Sequence, residues 1–222
     1  MLAAPLHVRF VEPAAHAHAD ESVLDPGRSD FLMLRAKGST DIWLILRPAR
    51  LSDGDALQSY VRGLSQQSRY NRFLGAANEL PASELARALG ANGRDTVTLL
   101  LTLTAEDRET VVGEARVALC CVERAGEFSM SVADDWRRLG VGSALLEEIE
   151  RKAAADGIEW LFGDTLRTNE GMIALARGHG FSLAAGLEPR LLRIQKRLAD
   201  AAPDMQCRKW NEIAGGAELS GA

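Results

Sequence analysis

The residues best suited to hold an anion lie between a predicted strand and a predicted helix. Arg137 is followed by Gly140 and Gly142, and an amphipathic helix is predicted over residues 143–156. Glycines let the backbone turn so that successive N–H groups converge on one point. The first turn of a helix adds free N–H groups and the positive end of its dipole. With Arg137 and Arg138 beside it, this segment has the chemistry of a diphosphate-binding site.

Two common phosphate-binding motifs do not fit this segment. A Rossmann fingerprint requires a third glycine where this chain has Leu145, and a P-loop requires a lysine that the segment lacks. What remains is an Arg-x-x-Gly-x-Gly pattern directly after a strand and at the start of a helix. A surface turn that merely favours glycine is the alternative, and the well-formed flanking elements argue against it.

The elements that must position this segment predict an α+β (α/β) domain. Apolar segments predict strands at residues 41–46, 96–104, 110–122, 128–132, 160–165, 181–183 and 187–198. Apolar residues at helical spacing predict helices at residues 53–64, 65–73, 83–89, 143–156 and 169–179. The strand–helix–strand–helix order after residue 128 requires one parallel crossover in an otherwise antiparallel sheet.

Three regions of the chain differ in composition. Residues 1–40 show no clear hydrophobic period and are predicted to be a loop-rich N-terminal extension. Residues 41–198 carry the predicted domain, and the polar, Gly/Ala-rich residues 199–222 are predicted to be a flexible tail. His16 and His18 have no third metal ligand near them, so no metal site is expected.

Composition and charge argue against several classes of protein. The 222 residues carry a formal net charge of −5 at pH 7, which disfavours a general nucleic-acid binder. No apolar run approaches the roughly 18 residues of a membrane-spanning helix. The three cysteines, two of them adjacent, do not form a disulfide framework and favour a reduced, cytoplasmic protein.

The run RRLGVG at residues 137–142, followed by Asn169-x-x-Met172 and then by Gly180-Phe181, resembles the GNAT superfamily of N-acetyltransferases. This resemblance implies a mixed, mostly antiparallel sheet that is splayed and flanked by helices. It also implies acetyl-CoA as co-substrate, without a metal, its diphosphate on the glycine loop and its pantetheine arm along the preceding strand. The cofactor-binding residues that it implies are Ser131, Val132, Ala133, Arg137, Arg138, Leu139, Gly140, Val141, Gly142, Ser143, Asn169 and Met172.

A closer resemblance is to the catalytic domain of bacterial Pat-type protein lysine acetyltransferases. It is carried by the runs LRPARLSDGDALQSYVRGLSQQSRYNRF, VVGEARV and GEFSMSVADDWRRLGVG. It implies that a lysine of a protein, such as an AMP-forming acyl-CoA synthetase, accepts the acetyl group. Glu127, ten residues before Arg137, matches the glutamate that serves those enzymes as general base. Glu114 and Glu123 are the other candidates for the base, and Glu114 could instead orient the acceptor. By the same resemblance, Arg69 and Arg72 lie in a helix above the acceptor groove and are implied for acceptor binding, with a solvated helix face as the alternative.

A lysine amine needs help to become a nucleophile. Its pKa of about 10.4 leaves roughly one molecule in 2,500 neutral at pH 7, which costs about 4.6 kcal/mol. A general base such as Glu127 is therefore expected, and the Val132 N–H is expected to polarise the thioester carbonyl. Many superfamily members place a tyrosine acid seven residues after the asparagine, where this chain has Ala176. The CoA thiolate is expected to leave without that acid, with water as the proton source.

Two other functions stay open at this point. One is acetylation of a small amine such as a polyamine, an amino acid or an antibiotic. The other is a non-catalytic acyl-CoA-sensing module, which the absent tyrosine favours. A pocket ringed by carboxylates would favour a polycationic acceptor, whereas an open groove would favour a protein.

Overall fold

The computed structural model describes residues 7–11, 30–35, 42–90, 96–105, 108–120 and 124–198, which form one mixed sheet flanked by helices. The strands are β1 (His7–Val11), β2 (Asp30–Arg35), β3 (Ile42–Pro48), β4 (Thr96–Ala105), β5 (Arg108–Leu119), β6 (Ala125–Val132), β7 (Trp160–Leu166), β8 (Ser182–Ala185) and β9 (Leu191–Arg197). The α-helices are α1 (Gly54–Gly63), α2 (Gln66–Phe73), α3 (Ala82–Ala88), α4 (Val141–Ala155) and α5 (Glu170–Gly178).

The sheet contains a single parallel pair among the strands that the structure describes. Its strand order is β1-β2-β3-β4-β5-β6-β7-β9-β8. The neighbours β6 and β7 run parallel, and all other neighbouring strands run antiparallel. Helix α4 makes the crossover that a parallel pair requires. The predicted mixed, mostly antiparallel sheet flanked by helices is confirmed.

Two strands lie inside the region predicted to be a loop-rich extension. β1 pairs with β2, and β2 pairs with β3, so this region adds an antiparallel hairpin to the edge of the sheet. β2 includes the apolar residues 31–34. His16, His18, Cys121, Glu123 and the tail from residue 199 onward lie outside the described residues.

The start of β6 differs from the prediction. This strand begins at Ala125 and not at residue 128, so Glu127 lies within the strand and not in the turn before it. Pairing on both sides explains the difference, because Gly126 lies opposite Leu119 of β5 and beside Leu161 of β7. These pairing partners are distant in sequence, so the polar residues before residue 128 do not predict that β6 begins earlier.

Two further strand boundaries also differ from the prediction. β5 already begins at Arg108, opposite Ala105, so the polar turn before it is shorter than predicted. β9 begins at Leu191 and not at residue 187. A turn precedes it, in which the Leu191 N–H donates a hydrogen bond to the Glu188 carbonyl oxygen at 2.9 Å.

Helices cover both faces of the sheet. On one face, α4 buries Leu145, Leu146 and Ile149 in the larger core. On the other face, α1 buries Leu57 and Val61 in a second core. Each such side chain stabilises the fold by about 1.5–3 kcal/mol. Within the described ranges, no helix is long and apolar enough to cross a membrane.

β6 and β7 pair only at their N-terminal ends. Residues 125–127 pair with residues 160–162, and beyond them the two strands separate. Gly163 lies at the point of separation, where a Cβ atom would stand 2.6 Å from the carbonyl oxygen of Phe128. A side chain at this position would push the two backbones apart, so glycine sets the position of the gap.

We expect Gly163→Ala to lower the free energy of unfolding by about 1–3 kcal/mol, because the methyl group overlaps backbone and not a flexible side chain. The measurement is the denaturant midpoint. Gly178→Ala in α5 is the matched control, since a Cβ there meets nothing within 4 Å. That variant is expected to keep the stability or raise it by up to about 1 kcal/mol. Equal denaturant midpoints for the two variants would contradict the close approach of the Phe128 carbonyl oxygen to Gly163.

Candidate active site

The glycine loop leads from β6 directly into α4. After Val132 the chain makes one 3-10 turn, Asp134–Trp136. Gly140 then adopts the left-handed conformation, with φ at 84°, and α4 begins at Val141. A residue with a side chain would be strained at this φ, whereas glycine adopts it freely. The loop thereby presents the free N–H groups of the first turn of α4 to one side.

Gly142 keeps this first turn close to the rest of the core. A Cβ atom at Gly142 would lie 3.4 Å from a methyl group of Leu175 and 4.0 Å from Met130 and Val132. The start of α4 is therefore packed between α5 and β6. This packing fixes the direction in which the free N–H groups of α4 point.

Beyond Glu127, the described part of β7 no longer pairs with the edge of β6 that faces the gap, and the Val132 carbonyl oxygen accepts a hydrogen bond from Nε of Arg137 at 3.4 Å. The Ala133 N–H donates a hydrogen bond to the Val112 carbonyl oxygen of β5 at 2.9 Å. Successive residues of a strand turn their N–H groups to opposite sides. The Val132 N–H therefore points toward the gap between β6 and β7. An extended chain could lie in this gap as an additional strand.

Charged side chains surround the gap on the face of the sheet that α1–α3 cover. Glu127 is exposed and lies beside Phe162 in the last parallel pair. Arg193 of β9 lies opposite Asp164 of β7 and binds both of its carboxylate oxygens, at 3.0 and 2.8 Å. The same guanidinium lies 4.6 Å from the centre of the Phe162 ring. We call Glu127, Phe162, Asp164 and Arg193 the acceptor-face cluster.

Electrostatics link the members of the acceptor-face cluster. Hydrogen bonding to Asp164 raises the pKa of Arg193, and the charge of Glu127 contributes in the same direction. Arg193 therefore stays protonated, bound to Asp164 and within electrostatic reach of Glu127. Glu127 is the exposed carboxylate of the pair, whereas the Asp164 side chain is 13% exposed and engaged. Glu127 is thus the carboxylate that a ligand can reach.

Two of the residues predicted to bind the acceptor contact each other. Glu114 of β5 is buried, with 1% of its side chain exposed, and it accepts a hydrogen bond from Nε of Arg72 at 2.6 Å. Arg116 lies 3.5 Å from the other carboxylate oxygen. Burial alone would raise the pKa of Glu114, but the charges of Arg72 and Arg116 hold it below its ordinary value. This buried ion-pair cluster fastens α2 to the sheet.

Arg69, the third residue of that set, lies at the start of α2 and contacts the end of α1. Its guanidinium donates hydrogen bonds to the carbonyl oxygens of Leu64 and Arg62. Carbonyl groups at a helix C-terminus lack partners within the helix, and a cation there also complements the helix dipole. The structure therefore places Arg69 where it stabilises the α1–α2 corner.

The first arginine of the loop contacts the acceptor side as well. Arg137 donates a hydrogen bond to Oγ of Ser68 at 2.6 Å and lies 3.1 Å from Asp134. Asp134 in turn accepts hydrogen bonds from the Ser65 N–H at 2.8 Å and from Oγ of Ser68 at 2.6 Å. Arg138 is exposed at the rim of the loop. The glycine loop and the start of α2 thus form one hydrogen-bonded unit.

A comparison with models of protein families identifies the family of this chain. Residues 68–181, just over half of the chain, match the model of the acetyltransferase (GNAT) family. The chain belongs to the GNAT family of acetyltransferases. The matched residues span α2, the sheet from β4 to β7, the glycine loop, α4 and α5.

Relatives of known structure or description support this assignment. A curated acetyltransferase of Pseudomonas aeruginosa is 25% identical over 138 residues, which are 62% of this chain and 74% of that protein. The GNAT domain of Streptomyces lividans PAT superimposes with a TM-score of 0.61 at 24% identity, over 70% of this chain and 91% of that domain. A putative acetyltransferase of Salmonella typhimurium, whose structure contains acetyl-CoA, gives a TM-score of 0.56 at 18% identity, over 73% and 98%. The chain is therefore a GNAT-type N-acetyltransferase, of a family that uses acetyl-CoA.

Sequence reasoning missed one polar residue of this GNAT site. Tyr60 of α1 forms a hydrogen bond with Oγ of Ser131, with 2.9 Å between the two oxygens. Burial raises the pKa of Tyr60, so its hydroxyl stays protonated at physiological pH. Ala176, where many GNAT enzymes carry the tyrosine acid, is fully buried in the core. No spacing rule in the sequence links Tyr60 to Ser131, because 71 residues separate them.

Asn169 and Met172, predicted to contact the cofactor, form the start of α5. Asn169 is the N-cap residue, and its side chain accepts a hydrogen bond from the Met172 N–H at 3.3 Å. The Met172 side chain packs against the larger core. The predicted cap is confirmed, and the amide nitrogen of Asn169 keeps its donors for another partner.

The Asp134 contacts lead to a prediction about acid stability. Partial burial would raise the pKa of Asp134, but hydrogen bonds from Ser65 and Ser68 and the charge of Arg137 lower it. The lowered pKa adds stability above the unfolded value of about 3.9, which is lost as the pH falls through the native pKa. We therefore expect Asp134→Asn to lower the thermal midpoint at pH 7, by an amount that shrinks below about pH 4.

The neighbouring exposed carboxylate provides the control for this prediction. Asp135→Asn removes the same charge from the same 3-10 turn, where Asp135 is exposed. Its midpoint is expected to follow that of the unmodified protein at every pH. A constant difference between Asp134→Asn and the unmodified protein down to pH 3 would contradict the role of the charge.

Proposed function

We propose that this GNAT enzyme transfers the acetyl group of acetyl-CoA directly to a lysine amine of a protein, such as an AMP-forming acyl-CoA synthetase, with Glu127 as general base. The position of Glu127 carries the proposal. It is exposed in the last parallel pair of β6 and β7, where the gap between these strands begins. A carboxylate there lies beside the gap toward which the Val132 N–H is directed.

The loop and the strand edge fit acetyl-CoA by their chemistry. The free N–H groups of α4, the left-handed Gly140 and the nearby Arg137 and Arg138 suit a diphosphate. The edge of β6 at Ser131–Ala133, where the Val132 N–H is directed into the gap, suits an amide group of a pantetheine arm. When bound, acetyl-CoA supplies an acetyl thioester.

The residues of the chain then have separate tasks. Glu127 removes the proton from the lysine ammonium, directly or through a water molecule, which offsets the roughly 4.6 kcal/mol cost of a neutral amine. The Val132 N–H donates a hydrogen bond to the carbonyl oxygen as negative charge develops on it. The leaving thiolate has an ordinary pKa of about 8.5 and takes its proton from water.

The charge around the gap supports a protein acceptor over a polycation. Of the two carboxylates on this face, Glu127 and Asp164, the second is already bound to Arg193, so one exposed carboxylate remains. A site selective for a polyamine would carry an excess of carboxylates.

A small amine is the second candidate, and one contact favours it. Arg190 in the β8–β9 loop lies 3.4 Å from the hydroxyl group of Tyr70 on α2. This contact joins the β8–β9 loop to α2, and such a bridge restricts an extended polypeptide more than a compact amine.

Intact-mass analysis separates these acceptors. An AMP-forming acyl-CoA synthetase is incubated with this protein and acetyl-CoA. The proposal expects a gain of one acetyl group, which is lost when the active-site lysine of the synthetase is replaced. If the synthetase gains no mass while small amines are acetylated, the lysine proposal is wrong and the small-amine function replaces it. Binding of acetyl-CoA without transfer to any amine would favour the sensing module.

A further inference from the structure

An exposed tryptophan and an exposed arginine lie beside the acceptor-face cluster. Trp160, the first residue of β7, is 42% exposed, and Arg197 of β9, which lies directly opposite it, is also exposed. Alternate residues of a strand face the same side of a sheet. Trp160 comes two residues before Phe162, which lies beside Glu127, so Trp160 and Glu127 face the same side. We call Trp160 and Arg197 the Trp–Arg pair.

The two faces of β7 and β9 differ in what covers them. On one face, Leu161 and Ile194 are buried in the larger core. On the other face, the Trp–Arg pair reaches solvent, and beside it the Arg193 guanidinium lies 4.6 Å from the centre of the Phe162 ring. Tryptophan and arginine are the residue types that, with tyrosine, contribute most often to the affinity of protein–protein interfaces. The composition of this face therefore favours a protein partner.

The charges on this face are not all engaged. Arg193 binds both carboxylate oxygens of Asp164, whereas no carboxylate in the described part of the chain pairs with Arg197. Two exposed charges of opposite sign, those of Glu127 and Arg197, are therefore open to a partner. A complementary surface presents a cation to Glu127 and a carboxylate to Arg197.

The spacing of these two charges sets a distance on the partner. Arg197 lies two strands away from β6 and level with Ala125, which comes two residues before Glu127. With about 4.8 Å between strands and about 3.3 Å per residue, the Cα atoms of Glu127 and Arg197 are about 12 Å apart. Contact with both residues at once favours an acceptor larger than a single amino acid.

We infer that the Trp–Arg pair is a docking surface for the acceptor protein, which contacts it with a carboxylate and an apolar side chain located near the acceptor lysine. The inference rests on the proposed transfer to a protein lysine. The carboxylate pairs with Arg197, the apolar side chain packs on the Trp160 ring, and the lysine reaches Glu127. Docking of this kind stabilises the ground state and the transition state equally, so it lowers KM for the protein and leaves kcat unchanged.

Steady-state kinetics with two acceptors test this inference. One acceptor is the AMP-forming acyl-CoA synthetase, and the other is Nα-acetyl-lysine methylamide, which presents a lysine side chain without a protein surface. Arg197→Glu and Trp160→Ser are each expected to raise the KM for the synthetase about 10- to 30-fold, with kcat unchanged, as for a central interface residue. The kcat/KM for the small amide and the Kd for acetyl-CoA are expected to stay unchanged.

Two exposed residues away from this face provide matched controls. Leu119 of β5 is 46% exposed and follows Ala118, the residue opposite Glu127, so Leu119 faces the other side of the sheet. Arg177 is exposed in the last turn of α5, a helix that packs against the larger core. Leu119→Ser and Arg177→Glu are expected to keep the KM for both acceptors.

A reversal of charge tests the predicted carboxylate of the partner. Each Asp or Glu near the acceptor lysine of the synthetase is replaced by Lys in turn. One of these replacements is expected to raise the KM with the unmodified protein and to lower it again with Arg197→Glu, because the two opposite charges are then exchanged.

The remaining outcomes separate this inference from the proposed function. Equal KM values for Arg197→Glu, Trp160→Ser and the controls would overturn the inference and leave the proposed function intact. An equal loss of kcat/KM with the small amide would overturn it as well, since the pair would then act on the reaction site itself. A dimer in sedimentation that Trp160→Ser dissociates would show instead that a second copy of the chain occupies this surface. Failure of the unmodified protein to acetylate the synthetase would contradict the proposed protein acceptor, and with it the inference.

Discussion

Glu127→Gln is expected to lower kcat/KM for the amine acceptor by about 10²–10⁴-fold, the usual contribution of a general base. The amide keeps the shape of the side chain but cannot accept the proton of the ammonium. The Kd for acetyl-CoA is expected to stay unchanged, because Glu127 lies at the acceptor face and not on the glycine loop. The residual rate is expected to rise with pH, since solvent then deprotonates the amine. Initial rates and calorimetric affinities over a pH series provide the measurements.

A glutamate outside the site provides the control for this variant. Glu147 is exposed in α4, within the same crossover unit, and Glu147→Gln is expected to turn over like the unmodified protein. Turnover of Glu127→Gln within a factor of two of that control would show that Glu127 is not the base. A loss of activity accompanied by a weaker affinity for acetyl-CoA would show instead that the change had disturbed the loop.

The turn at the glycine loop could be predicted from the sequence because its information is local. A glycine before an apolar helical stripe predicts a turn and a helix start there, and the structure has a positive φ at Gly140 and begins α4 at Val141, two residues before the predicted start. Gly157 and Gly180 end their helices with φ values of 80° and 77°, as glycines after a periodic segment predict. Each of these features depends on neighbours within one or two turns. The chain needs no distant contact to specify them.

The acceptor side could not be predicted in the same way because distant contacts determine it. Arg72 and Glu114 are 42 residues apart, and the family resemblance implied that they bind the acceptor, yet they pair with each other in the structure. The start of β6 depends on strands before and after it, which placed Glu127 inside a strand and not in a turn. Burial and strand pairing are properties of the whole sheet, and a local pattern does not report them.

Contacts between the glycine loop and α2 explain why the roles predicted from the sequence match the contacts in the structure only in part. Arg137 was predicted to bind the cofactor and also bonds to Ser68 of α2 through Nη2. Asp134 of the same loop accepts a hydrogen bond from the N–H group of Ser65, the N-cap residue of α2. The glycine loop, which suits a diphosphate, thus also holds α2 in place beside the acceptor face. Side chains at such a junction serve two neighbours, which a linear motif cannot show.

Glu114→Gln is expected to lower the free energy of unfolding by about 3–5 kcal/mol, the usual cost of removing one partner from a buried ion pair. Glu114, Arg72 and Arg116 are all largely buried, with 1%, 8% and 8% of their side chains exposed. Burial already lowers the pKa of Arg116, a sign that its charge is poorly solvated. Without the carboxylate, two guanidinium groups would remain together away from water. Chemical denaturation at pH 7 gives the difference in free energy.

An exposed pair of the same residue types provides the control. Arg62 and Glu79 have 60% and 56% of their side chains exposed, so Glu79→Gln is expected to cost less than about 1 kcal/mol. The pH dependence gives a second test. Because the native pKa of Glu114 is lowered, its stabilisation is present above the unfolded value of about 4.3 and is lost as the pH falls through the native pKa. Glu114→Gln should therefore lose less stability than the unmodified protein on acidification. Equal destabilisation by Glu114→Gln and Glu79→Gln would mean that the buried cluster does not hold α2 to the sheet.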